Sequence, residues 1–265
     1  MTDRTEPGRF EADGVFEDDP GRRASLAFRV RFDEATPNGL VRTSALLRYA
    51  ADLAWVHSDQ RGFGRSWYAV RGLAWVVRGV ELDLLLPIGH GDELLGTTEA
   101  VAARKVIARR RTVLATGGGQ VAARLMVDWA LTTTDGVPTR IPAVFATVFA
   151  MPETTFAPIR VRATPPDDGS TSIVELGVRP HELDPMGHVN NAVYLDWAEE
   201  AIRATGADGV AAVDSIPRRW RLEYLGAAAP GSRARTVVWP DGGGWSCRIS
   251  DPATGLAYLG ARLEA

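Results

Sequence analysis

The chain has 265 residues, 45% hydrophobic and 24% charged, which is enough apolar material for a sizeable core. A net charge of -3 gives general nucleic-acid binding no electrostatic support, and a single cysteine, Cys247, excludes an internal disulfide and a cysteine-clustered metal site. No apolar run approaches the ~20 residues of a membrane span, and the polar N-terminus lacks a signal-peptide core, so a cytoplasmic protein without a membrane partner is expected.

Residues 1–24 are polar and aperiodic and read as a flexible lead-in. From there the chain repeats itself. Arg31 onward laid under Arg179 onward pairs Glu34 with Glu182, Pro37 with Pro185, Gly39 with Gly187, Val41 with Val189 and Leu47 with Leu195, and sets Tyr49 against Trp197. After a small length change, "ELDLLLPIGHGDEL" resembles "RLEYLGAAAPGSRA". Two related units are expected, at 25–145 and 171–265, joined by a Pro- and Thr-rich linker at 146–170 that holds a short strand or helical turn.

Each unit opens on a short strand, "LAFRVRF" or "SIVELGVRP", followed by a turn with Pro and Gly and then a helix. In the first unit, Thr43 or Ser44 is the expected N-cap, and Leu46, Leu47, Tyr49, Ala50 and Leu53 make a strongly apolar helix. In the second, Asn190 or Asn191 is the expected cap, Val193, Tyr194, Trp197 and Ala198 form the apolar stripe, and Gly206 ends the helix. Strands rather than further helix are expected after each. The Gly runs "TGGGQ" and "PDGGGW" read as hairpin turns at equivalent places; they feed β-rich segments, so they lack the helix start of a phosphate loop. One buried helix followed by an antiparallel meander, twice over, predicts an α+β fold with two antiparallel sheets, each wrapping a long central helix, paired as a covalent pseudo-dimer.

The densest chemistry is "HELDPMGHVNNAVYLDWAEEA" at 181–201, with two of the four histidines. Pro185 fixes the turn, Gly187 frees it, and Asp184 and His188 stand just ahead of a helix whose first N–H groups have no internal partner. A carboxylate, an imidazole and free N–H donors are the parts needed for acyl transfer. A purely structural reading, with an Asx-turn, a surface histidine and capping asparagines, competes on spacing alone. The repeat favours chemistry. The first unit keeps Pro, Gly, Val and the helix but has Thr36 for Asp184, Leu40 for His188, and Arg42 and Thr43 for Asn190 and Asn191. The fold therefore does not need Asp184 or His188. His181, Asp184 and His188 are not a strong metal-ligand pattern, and no metal or cofactor is expected.

The same segment resembles the Asp-x-x-Gly-His-Val-Asn-Asn-x-x-Tyr signature of hotdog-fold thioesterases. Together with "LAWVVRGVELDLLLPIGHGDELLGTTEAVAARKVIARRRTVL" and "VDWALTTTDGVPTRIP", residues 25–265 are similar to acyl-[acyl-carrier-protein] thioesterases, which are tandem hotdogs. The resemblance implies a double hotdog that hydrolyses fatty acyl thioesters carried on acyl carrier protein. The C-terminal unit is then catalytic and the N-terminal unit shapes the substrate pocket. Asp184 and His188 fall on the family's catalytic Asp and His, Asp184 acting as base or nucleophile; Asn190 and Asn191 are further candidates. Gly187 and Met186 on the turn, and Leu46, Tyr49 and Leu53 on the first helix, are the candidate substrate contacts, although core packing competes for the last three. Two positions depart from the family. Met186 replaces its usual Asn, and Ala227 replaces the acid after "LEY", leaving Glu223 on the same strand as an alternative acid. One of Glu199 and Glu200 is a further carboxylate that can face the site. An acyl-CoA carrier in place of the protein carrier, and a non-catalytic acyl-binding module, are the alternative readings. Pseudo-dimeric monomer and homodimer are both compatible with a tandem unit. The basic run "ARKVIARRR" is a candidate docking patch for an acidic carrier, with a charge-protected edge strand as the competing reading.

Overall fold

In a computed structural model, residues 22–151 and 154–265 are described. The expected lead-in lies outside them up to residue 21; Arg23 and Ala24 already belong to the first strand. The first half runs β1 (Arg23–Arg29), α1 (Thr43–Gln60), α2 (Arg65–Arg71), β2 (Leu73–Leu84), β3 (Glu93–Arg104), β4 (Ile107–Thr116) and β5 (Val121–Thr133). After α3 (Ala143–Val148), the second half runs β6 (Ser172–Gly177), α4 (Asn191–Arg203), α5 (Ala207–Asp214), β7 (Arg218–Tyr224), β8 (Arg233–Asp241), β9 (Gly244–Ser250) and β10 (Ala257–Glu264). The fold is α+β, but the expected pair of separate sheets is corrected. The ten strands form one antiparallel sheet, in the order β1-β3-β4-β5-β2-β7-β10-β9-β8-β6.

The order reads the same from either end once the second half is renumbered, so the repeat is a two-fold relation about the β2–β7 seam. The seam merges the sheets because its two faces are complementary. On one face Leu82 lies opposite Trp220 and Val80 opposite Leu222, all buried. On the other, Asp83 is bonded to its cross-strand partner Arg219, and Glu81 is paired with Arg221 at 3.1 Å. Backbone bonds match between halves: Val30 N–H to Asp92 O and Val178 N–H to Ser232 O, Val41 N–H to Ile88 O and Val189 N–H to Ala228 O.

Three further expectations are corrected. Each central helix is followed by a second short helix, α2 or α5, before the strands begin. The N-cap of α1 is Arg42, and Thr43 and Ser44 are fully buried first-turn residues instead. α4 ends at Arg203, and Gly206, at φ +118°, starts α5. The two Gly runs are hairpin turns, but at inequivalent places. "TGGGQ" joins β4 to β5, whereas "PDGGGW" joins β8 to β9, whose counterpart is the turn at Lys105.

The main core lies between the sheet and the paired helices α1 and α4, with Leu46, Leu53, Leu195, Ala198, Trp220 and Leu263 at its centre. The segment after α3 crosses the sheet's opposite face as a strap. Ile159 N–H donates to Asp128 Oδ2 at 2.8 Å, and Val161 N–H donates to Glu223 Oε2 at 2.8 Å. Gly79 is glycine for this reason: a Cβ there would sit 2.7 Å from Ile159 Cβ.

A second, aromatic cluster of Phe63, Tyr68, Phe145, Phe149 and Met151 packs around the end of α1 and encloses His57. Arg110 Nη1 lies 2.8 Å from His57 Nδ1. Guanidinium can only donate, so Nδ1 accepts and the neutral ring carries its proton on Nε2. Burial, then the charges of Arg110 and Arg61, hold the His57 pKa down at about 3. The unfolded chain takes up this proton below about pH 6.5, whereas the folded one waits until about 3, so stability falls as pH falls between the two. Urea unfolding at pH 7 and pH 5 checks this. The loss on acidification is expected to be about 2 kcal/mol larger for the native protein than for His57→Gln, and equal losses would refute it.

Candidate active site

The turn at 183–189 is built identically in both halves. Asp184 N–H donates to His188 O at 2.8 Å and Gly187 N–H to Asp184 O at 2.9 Å; in the first half, Thr36 N–H donates to Leu40 O at 2.7 Å and Gly39 N–H to Thr36 O at 2.9 Å. Gly187 and Gly39 have φ of +78° and +77°, conformations that favour glycine. Each turn is anchored by a buried glutamate. Glu34 accepts from Arg31 N–H and from the Tyr49 hydroxyl; Glu182 accepts from Arg179 N–H and from the Trp197 indole N–H. Tyr49 and Trp197 are therefore equivalent, each donating to the anchoring glutamate of its own half.

The halves differ at the chemistry. Asp184 Oδ1 accepts from Met186 N–H at 2.8 Å and His188 N–H at 3.3 Å, which fixes the carboxylate; among the described residues nothing bonds to Oδ2. Asp184 is half-buried, while Met186, Gly187 and His188 are exposed. The side chains of Asp184 and His188 are not bonded to each other, and the described residues hold no cluster of three or more metal-ligating side chains.

Asn190 is the N-cap of α4, its Oδ1 accepting from Ala192 N–H at 2.9 Å. Val193 N–H bonds to Asn190 O, which leaves Asn191 N–H as the first-turn donor with no bond among the described residues. It carries the positive end of the helix dipole. Tyr224 donates its hydroxyl to Asn191 O at 2.9 Å.

Asn190, Asn191, Ala192 and Tyr224 form one wall of a cavity of about 160 Å³. Its other walls are Leu47, Arg48, Ala50 and Ala51 of α1, Val77 and Val80 of β2, and Val127 and Trp129 of β5. The start of the second half's helix thus opens onto an apolar hollow made largely by the first half. Leu46 and Leu53 are fully buried in the core and Tyr49 is bonded to Glu34; none of the three lines the hollow, which uses the neighbouring face of α1.

Two alternative acids are placed elsewhere. Glu223 points to the strap face, where it is bonded to Arg160 and to Val161 N–H. Glu199 accepts from the Thr43 hydroxyl at 2.6 Å, and Arg218 donates to the same oxygen of Thr43 at 2.7 Å. Burial raises the Glu199 carboxyl above its usual range, against the pull of Arg218 and Thr43. Glu200 is exposed. Beside Ala227, the N–H of buried Ala228 donates to the Tyr194 hydroxyl at 2.8 Å. Burial, with the Tyr258 and Asp184 charges adding to it, pushes that phenol up to about 12, so it stays protonated. Sequence reasoning missed Tyr224 and Tyr194 as site elements, although "LEY" and the signature's last position mark both.

In the basic run, Arg104 and Lys105 are exposed, whereas the three arginines that follow are engaged. Arg109 is bidentate to Asp128, Arg111 is bonded to Glu99, and Arg110 is buried against His57.

Residues 22–143 match the profile of the acyl-ACP thioesterase N-terminal domain, and residues 178–230 match that of the thioesterase-like superfamily. Among solved structures, a putative oleoyl thioesterase from Lactobacillus plantarum is similar at TM-score 0.81 and 18% identity, over 93% of this chain and 97% of that one. The 12:0-ACP thioesterase from Umbellularia californica is similar at TM-score 0.75 and 22% identity, over 91% and 96%. An acyl-ACP thioesterase from Bacteroides thetaiotaomicron is similar at TM-score 0.74 and 14% identity, over 91% and 97%. No curated protein sequence matches the chain. Fold and family matches together define a thioester hydrolase of the hotdog class. Within that class, the first half matches the acyl-ACP thioesterase N-terminal domain, and the second half matches the broader thioesterase-like superfamily.

Proposed function

We propose that the chain releases fatty acids from acyl thioesters, most fittingly those of acyl carrier protein, with Asp184 as the reacting group. The supporting observation is a carboxylate with Oδ1 pinned by two backbone N–H groups and Oδ2 unbonded, on the turn that leads into a helix start facing an apolar hollow. The acyl tail lies in the hollow and the thioester carbonyl at its α4 end, where Asn191 N–H takes the charge that develops on oxygen. Asp184 either attacks the carbonyl carbon, expelling the thiolate and leaving a mixed anhydride that water cleaves, or removes a proton from the attacking water. His188, on the rim, orients the incoming group and protonates the departing sulfur. Asn190 holds the cap. Met186 and Gly187 border the entrance on the exposed side. In this reading 25–145 shapes the pocket and 171–265 carries the reaction, in a cytoplasmic pseudo-dimer.

An acyl-CoA carrier is the second reading, because the hollow and the Asp184 turn meet only the acyl group and the thioester, which both carriers share. Hydrolysis of the same acyl group presented on carrier protein and on CoA tests both. A kcat/KM at least tenfold higher on carrier protein is expected, and the reverse preference would assign the chain to CoA thioesters. Failure to hydrolyse either would overturn the proposal.

A further inference from the structure

The two-fold relation that maps α4 onto α1 also maps the hollow onto a second place, where the start of α1 meets α4. There is no matching role for chemistry there, because Thr36 and Leu40 replace Asp184 and His188. What fills it is the chain of contacts Arg218–Thr43–Glu199. The counterparts are Asn191 for Thr43 and Ala51 for Glu199, and the counterpart of Arg218 is Arg78. Arg78 does not enter the hollow. The β2–β5 register breaks between Val77 and Gly79, which makes Arg78 a bulged residue. The bulge brings Val77 to the inner wall, and the Arg78 charge is felt instead beside Arg160 and Glu223 under the strap. One short residue and one bulge thus leave empty what a carboxylate and a guanidinium occupy on the other side.

We infer that this hollow sets the substrate class as short acyl thioesters, of about six to eight carbons, and that Trp129 is the residue that limits their length. This deepens the thioesterase reading above and rests on it. A cavity of about 160 Å³ matches the ~150 Å³ engineered cavity that holds benzene, so it takes about six carbon atoms. The carbonyl carbon and its neighbour lie at the α4 end, outside that count. Trp129 is the largest side chain of the apolar wall and, with Val127, comes from β5, which β2 separates from Tyr224 on β7. Within the hollow, each methylene that finds room raises kcat/KM about fourfold, and one that finds none gains nothing.

The test is kcat/KM across acyl groups of four to sixteen carbons on one carrier, for the native chain, Trp129→Ala and Ala51→Leu. Affinity for the corresponding non-hydrolysable acyl-pantetheine ketones is measured in parallel. Expected are a native optimum near six to eight carbons with at least a tenfold fall by twelve, a longer optimum in Trp129→Ala and a shorter one in Ala51→Leu. A native preference for twelve to sixteen carbons overturns the inference, as do unmoved optima in both variants. If nothing is hydrolysed, the thioesterase reading fails, and the ketone affinities still decide the length limit. Should Trp129→Ala not fold, Ala51→Leu carries the comparison.

Discussion

Asp184→Asn is expected to lower kcat for thioester hydrolysis by about 10³- to 10⁴-fold, with a much smaller change in KM. The substitution separates chemistry from architecture. Asn keeps an Oδ1 that accepts from Met186 and His188 N–H, so the turn that leads into α4 keeps its bonds. The first half shows that this turn also closes with Thr36 in the same place, its hydroxyl bonded to Leu40 O at 3.1 Å. What Asn removes is the negative charge, and with it a base or nucleophile. Thermal unfolding should therefore move little while turnover collapses. Near-normal kcat in a folded Asp184→Asn protein would remove Asp184 from the mechanism, and an equal fall in stability would make its role structural.

Asp128→Ala is expected to destabilise the protein by about 3–5 kcal/mol, read from urea unfolding. Asp128 is completely buried and holds three donors: Arg109 Nε at 2.7 Å, Arg109 Nη2 at 2.8 Å and Ile159 N–H at 2.8 Å. Alanine leaves a largely buried guanidinium without its carboxylate and a backbone N–H of the strap without an acceptor. The damage reaches the hollow as well, because Val127 and Trp129 flank Asp128 on β5 and face the other way. A loss under about 1 kcal/mol would mean that the strap and Arg109 find water instead.

Much of this was legible because the repeat could be checked against itself. Glu34 and Glu182, and Tyr49 and Trp197, aligned as residues and turn out to be matched acceptor and donor pairs. Subtraction of the first copy from the second isolated Asp184 and His188. Other features escaped for definable reasons. α1 is apolar around most of its circumference, so periodicity did not say which face lines a cavity; Leu46, Tyr49 and Leu53 face inward, while Leu47, Ala50 and Ala51 face the hollow. Short helices such as α2 and α5 carry too few turns for a clear period. Strand alternation does place Glu223 opposite to Tyr224, and applying it from Tyr224 inward would have set that acid on the outer face. The merging of two sheets depends on long-range pairing, although Glu81 and Asp83 facing Arg221 and Arg219 show the complementary signs in retrospect.

The β2–β7 seam has a consequence for how the site responds to dilution. A reaction centre assembled from two separate chains falls apart as concentration drops, and each half competes with every other copy for a partner. Here the helix start and the apolar walls belong to one polypeptide, held together at a fixed local concentration by the seam and by the strap that crosses behind it. Specific activity per chain should stay level as the protein is diluted. The tether also frees the halves from being alike: Thr36 stands where the other half has Asp184, and Glu199 and Arg218 meet at the start of α1 while the matching place at the start of α4 stays open.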